Sequence, residues 1–162
     1  MSAVQLGTDF QRQCRLAWTL IEMMIGIAIV GLLAAIAVPQ YTGYHEKARR
    51  TETIAAFRAI EGRIESYRSE FGELPETLAA AIKPPPVDAW GNPYEYLNLG
   101  TVSGPDMSKI RKDKNLHPIN SDYDLYSKGP DGLSVAPLTA MASRDDIIRA
   151  NDGAFIGVAV DY

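Results

Sequence analysis

Residues 18–39 read WTLIEMMIGIAIVGLLAAIAVP, and sixteen consecutive residues in it, Met23 to Val38, carry no charge and no strongly polar group. Extended back to Trp18, the run is interrupted only by Thr19 and Glu22. A helix rises 1.5 Å per residue, so such a run covers about 30 Å, the thickness of a bilayer's hydrocarbon core. No second run of this kind follows, which predicts a single membrane anchor. The residues ahead of it, 1–17, are polar, and Arg12 and Arg15 outweigh Asp9. Excess positive charge holds a flank on the cytoplasmic side, which sends the chain beyond Pro39 across the membrane.

Composition narrows the remaining choices. Apolar residues make up 46% of the 162 and charged residues 22%, which excludes wholesale disorder. A formal net charge of −4 leaves no basic surplus to neutralise phosphates, so nucleic acid is not an expected partner. The single cysteine, Cys14, excludes an intrachain disulfide and a cysteine-based zinc site. His45 and His117 each stand apart from any second ligand of that kind and read as surface residues.

Past Pro39 the polarity changes while the helical period persists. Ile54, Phe57, Ile60, Ile64, Tyr67 and Phe71 recur every three or four residues on one face, between charged residues of both signs. Gly72 and Pro75 end the pattern, so one helix from Trp18 to Phe71 is predicted, about 80 Å long. A short helix follows at 74–82, then the stiff Pro84-Pro85-Pro86 connector. A turn at 88–94 leads into the alternating strand Tyr94–Leu99. Residues 101–120, with Lys109, Arg111, Lys112, Asp113 and Lys114, read as an exposed loop. Further strands are predicted at 124–127 and 154–160.

Three fates fit the N-terminus. Ala35-Ile36-Ala37 has the small-x-small form of a secretory cleavage site, although the apolar region is long for a signal peptide and carries Glu22. An uncleaved anchor is the second. The third accounts for the acidic residue: Ala17-Trp18-Thr19-Leu20-Ile21-Glu22, the apolar run and Pro39 resemble the class III leader of type IV pilins and type II secretion pseudopilins. Alanine at 17 stands where that family usually has glycine, and Trp18 where it usually has phenylalanine. The resemblance implies a leader at 1–17, an assembly helix at 18–38 and a periplasmic domain at 39–162. It also implies a fold class, α+β: a pilin-like lollipop whose long N-terminal helix packs on a small antiparallel sheet with a C-terminal loop. Prepilin peptidase would cut between Ala17 and Trp18 and methylate the new amine of Trp18.

A carboxylate within a membrane helix is costly and calls for a partner, unless it stays wet at the headgroup interface. The resemblance supplies one, the N-terminal amine of the neighbouring subunit, which makes Glu22 an assembly residue. Pro39 removes a backbone donor and would kink or loosen the helix. In filaments of this family the segment ahead of that proline melts, and Gly26 and Gly31 would ease the change.

Asp88-Ala89-Trp90-Gly91-Asn92-Pro93-Tyr94 resembles the Asp-x-Trp-Gly-Asn-Pro-Tyr motif of the major pseudopilins, with Trp90 expected as a buried plug. Gly129-Pro130-Asp131-Gly132 and the later Asp145-Asp146-Ile147 resemble the C-terminal loop that calcium ties down in the same group. On that resemblance Asp131 and Asp146 are the expected side-chain ligands of Ca2+, with Asp145 second and Asn151 and Asp152 behind them. The loop here is longer than the usual one. Read from the residues alone, the alternative for the same stretch is a Pro-Asp-Gly turn followed by an aspartate capping a short helix at 147–149.

The function implied is that of a non-enzymatic subunit of a type II secretion pseudopilus. It would polymerise with itself in the bacterial inner membrane alongside minor pseudopilins, on an assembly platform driven indirectly by a cytoplasmic ATPase. A subunit of a type IV pilus is the alternative within the family. A membrane-anchored periplasmic enzyme is the alternative outside it, and no nucleophile–base pair or phosphate loop supports it.

Overall fold

A computed structural model describes residues 18–162. The first helix, α1, spans Leu20–Phe71 with Pro39 inside it. Its start is set by a reciprocal cap. The Glu22 backbone N–H donates to Thr19 Oγ1 at 3.2 Å, and the Thr19 N–H donates to the Glu22 carboxylate at 3.4 Å. This is the Thr-x-x-Glu capping box, which satisfies two of the donors that a helix N-terminus leaves orphaned. Its end is a left-handed glycine: Gly72 has φ +81° and returns its N–H to Arg68 O at 2.8 Å.

The chain divides into two compact units that meet between Thr42 and Gly43. In the first, α1 exposes every large apolar side chain from Leu20 to Val38. It is also long and apolar enough to cross a membrane.

In the second unit, 43–162, the rest of α1 packs on an antiparallel sheet of four strands in the order β1-β2-β3-β4. These are β1 (Glu95–Asn98), β2 (Tyr123–Ser127), β3 (Ile147–Ala150) and β4 (Phe155–Val158). Register is carried by Tyr96 opposite Leu125, Tyr126 opposite Ile148, and Ile148 opposite Gly157. A one-turn helix, α2 (Leu78–Ala81), lies between α1 and β1.

Phe57, Ile60 and Ile64 of α1 form the main core with Leu78, Tyr94, Tyr123, Leu125, Ile147 and Val158. Tyr94 meets Phe57 edge to face, with ring centroids 5.4 Å apart. Neighbouring residues of a strand point to opposite faces. Ile148 and Ala150 therefore leave this core and join Ile119, Leu138 and Ala159 in a second cluster. The sheet is thus covered on both faces, and all four residues of β3 are buried.

The α+β pilin-like architecture agrees with the expectation; four details do not. The predicted apolar stripe stops short, because Phe71 is 58% exposed and only stacks on Tyr67. Residues 147–149 form an inner strand rather than a short helix, since burial on both faces removes the alternation that marks a strand. Trp90 is half-buried, its indole N–H reaching Glu46 at 3.4 Å, so it edges the core rather than plugging it. Residues 101–120 are not simply an exposed loop: Arg111, Ile119 and Asn120 are buried.

Candidate functional site

The places of interest are those where the chain is tied. The first is the start of α1. Trp18 is exposed, Ala17 lies outside the described residues, and Glu22 is occupied by the Thr19 cap. Thr42 Oγ1 donates to the carbonyl of Pro39 at 2.9 Å, one turn beyond the missing N–H.

The second is the Asp88–Tyr94 block. Buried Asp88 accepts the backbone N–H groups of Trp90 and Asn92 at 3.0 and 2.8 Å, which fixes the turn. Its other oxygen accepts the Ser127 hydroxyl at 2.6 Å. Asn92 Nδ2 donates to Gly129 O at 2.9 Å. The motif is therefore a bracket that holds the end of β2, where the C-terminal loop departs. Gly129 has φ +63°, and a Cβ there would lie 2.5 Å from the Asp145 carbonyl oxygen. Only glycine lets the two ends of the loop approach so closely.

Arg149 on β3 makes the third tie. Its guanidinium binds both oxygens of Asp122 at 2.7 and 2.8 Å, and its Nε donates to Glu61 of α1 at 2.8 Å. It also stacks over the Tyr123 ring at 4.0 Å. Burial works against its charge, and the carboxylates of Asp122 and Glu61 more than offset this, so its pKa is raised. Helix and sheet are clasped through one side chain.

The C-terminal loop holds the predicted calcium ligands, and the structure separates their roles. Asp131 is exposed and accepts the Leu133 N–H at 2.8 Å in a local turn. Asp145 is half-buried and presents its backbone to Gly129. Asp146 is fully buried, and one oxygen, Oδ2, is taken by the Ser134 hydroxyl at 2.6 Å and by the guanidinium of Arg111. Burial pushes the Asp146 carboxyl up, against the pull of Ser134 and Arg111. Asn151 and Asp152 lie elsewhere, with left-handed φ of 51° and 54°. Asn151 accepts the Tyr162 hydroxyl, and Asp152 is held on Ser121, whose N–H lowers its pKa.

Among the described residues no three His, Cys, Asp or Glu side chains are grouped as metal ligands would be. Calcium needs six to eight oxygens. Asp146 leaves one buried oxygen without a hydrogen-bond partner, and the group beside that carboxylate is a cation. As arranged, this donor set does not fit calcium.

Two of these ties were not legible in the residues. Arg111 sat unmarked in a polar run, and Arg149 followed two isoleucines in what read as a helix start. The Thr19–Glu22 box was not read ahead of the structure either, although its spacing is a known helix-start signal.

Comparison with known proteins points in one direction. The chain is similar to type II secretion system core protein G of Pseudomonas aeruginosa, at 33% identity over 143 residues, covering 75% of this chain and 88% of that protein. It is similar to core protein G of Escherichia coli K12 at 29% identity, covering 87% of this chain and 92% of that one. For the Klebsiella pneumoniae core protein G the identity is 30%, with 72% and 85% covered. No family model matches the chain, and no solved structure matches it.

Proposed function

The chain belongs to the type II secretion system core protein G family, the major pseudopilins, and from that membership we propose that it polymerises into the periplasmic pseudopilus that drives protein export across the outer membrane. The observation that carries this reading is the first half of α1. From Leu20 to Val38 every large apolar side chain is exposed within the chain, so these residues need lipid before assembly and copies of themselves after it. The Gly26, Gly31 and Ala28 positions leave room for close helix approach. In this reading the chain is single-pass in the inner membrane with residues 43–162 in the periplasm, and none of its residues is catalytic. Its partners are further copies, minor pseudopilins, prepilin peptidase and the inner-membrane platform with its ATPase.

Glu22 serves twice in this account. In the isolated subunit it completes the helix cap, and in the filament it would pair with the methylated amine of Trp18 on a neighbouring copy. The two roles separate experimentally, because glutamine also completes a capping box but carries no charge. Glu22→Gln is expected to keep membrane insertion and a folded domain yet to abolish pseudopilus assembly and secretion of exoproteins. Normal secretion by that variant would leave Glu22 as a cap alone. Mass and N-terminal sequence of the protein from its native membrane test the processing, with a chain beginning at monomethylated Trp18 as the expected result.

A further inference from the structure

Arg111 is 2% exposed although it lies between Lys109 and Lys112 in a polar stretch, and it is the largest fully buried side chain among the described residues. A guanidinium is not buried without partners, and the partners here belong almost wholly to the C-terminal loop. Nη2 meets the Asp146 carboxylate, and Nη1 donates to Ser134 Oγ at 2.8 Å and to the carbonyl of Val135. The plane of the group stacks over the Tyr126 ring of β2 at 4.0 Å.

The backbone around Arg111 repeats the connection. Its own N–H donates to Asp124 of β2 at 2.8 Å. The Lys112 N–H donates to Ala136 O at 3.1 Å, and Leu138 returns an N–H to Lys112 O at 2.9 Å. Ser143 closes the far side of the loop by accepting the Val135 N–H at 2.9 Å and donating to Val135 O at 2.7 Å. One positive charge thus draws together a carboxylate, a hydroxyl and a carbonyl from one loop, which are the ligand types a hard cation would collect.

We propose that Arg111 is a built-in cation that closes the C-terminal loop of this chain, in place of a bound divalent metal. The loop is then held by a residue of the 101–120 segment, and its closure does not depend on calcium concentration. A calcium ion at Asp146 would have to displace the guanidinium or sit beside it against strong like-charge repulsion. The proposal concerns how one loop is held and stands apart from whether the chain polymerises.

The test is thermal unfolding of the full chain in detergent, followed by near-ultraviolet circular dichroism, in millimolar CaCl2 and in EGTA. The unaltered chain is expected to unfold at the same temperature in both. Arg111→Met is expected to lower the midpoint by about 10 °C, because it leaves a buried carboxylate without its counter-charge. Adding Asp146→Asn to Arg111→Met is expected to recover part of that loss, since the stranded charge is gone. Arg111→Lys falls between, keeping the charge but not the planar fork. A midpoint several degrees higher in calcium than in EGTA for the unaltered chain would overturn the proposal, as would strictly additive losses in the double variant. Should Arg111→Met fail to fold, the calcium comparison on the unaltered chain decides alone.

Discussion

Ile29 and Ile64 lie on the same helix, carry the same side chain and have opposite fates. Ile29 is 53% exposed and Ile64 is fully buried. The first half of α1 is the more apolar, and its large apolar side chains are exposed among the described residues. The second half alternates charged and apolar residues and supplies three members of the main core. Hydrophobicity alone therefore does not say where a residue's apolar surface will be covered. A continuous apolar surface is made for an environment apolar on all sides, whereas a striped one is made for a partner on one side.

Substitutions along α1 put this contrast under strain. The largest effect is expected at Phe57, where Phe57→Ala removes a fully buried ring that meets Tyr94 and should cost about 3–5 kcal/mol of domain stability. Chemical denaturation of the full chain in detergent reads this directly. A loss below about 1 kcal/mol would mean that the second half of the helix is not a core element.

Alkaline pH acts on the same packing. Burial, with a contribution from Asp88, pushes the Tyr94 phenol up to about 12. Burial pushes Tyr123 up to about 12 as well, against the pull of Arg149. The folded chain thus keeps protons that the unfolded chain releases near the ordinary value of 10. The stabilisation is complete below about pH 10 and is lost as pH rises through 12. Seven of the eight tyrosines lie in residues 43–162, Tyr41 being the exception, so an alkaline melt followed by phenolate absorbance reports mainly on the second unit. Ionisation of all the tyrosines near pH 10 without unfolding would contradict the packing.

The smallest effect is expected at Ile29. Ile29→Ala should leave the unfolding of residues 43–162 within about 0.5 kcal/mol of the unaltered chain, because Ile29 is an exposed residue of the first unit and is not among the core residues of the second. Its consequence should appear as weaker retention in membranes or weaker filament assembly, read by sedimentation of membrane fractions and by cross-linking between copies. A large loss of domain stability would erase the distinction between the two halves.

How much could be read ahead of the structure differs from residue to residue. Phe57, Ile60 and Ile64 were legible because helical spacing is local and their face is one-sided. The strand at 123–127 was legible to within a residue of its start, and the Asp88–Tyr94 turn showed itself through Gly91 and Pro93. β3 was not: Ile147, Ile148, Arg149 and Ala150 are all buried, so no alternation marks them, and a preceding pair of aspartates imitates a helix cap. Asp131 and Asp146 were expected together as ligands, with Asp145 second, yet only Asp146 is enclosed. Nothing in its immediate neighbours distinguishes it from Asp145.

The sequence by itself determined the features whose causes lie within a few turns of chain: the membrane-length apolar run, the cap at Thr19 and Glu22, the stop at Gly72 and the one-sided stripe that builds the core. Each depends on spacings of four residues or fewer or on an unbroken run, and both are visible in one dimension. Only the tertiary structure decided the partners of the two buried guanidiniums. Arg149 reaches Glu61 across 88 positions of sequence, and Arg111 reaches Asp146 across 35. An arginine in a polar segment is ordinarily a solvated one, and its burial is settled by which distant carboxylate the fold delivers beside it. That delivery is a property of the folded topology, and no local pattern encodes it.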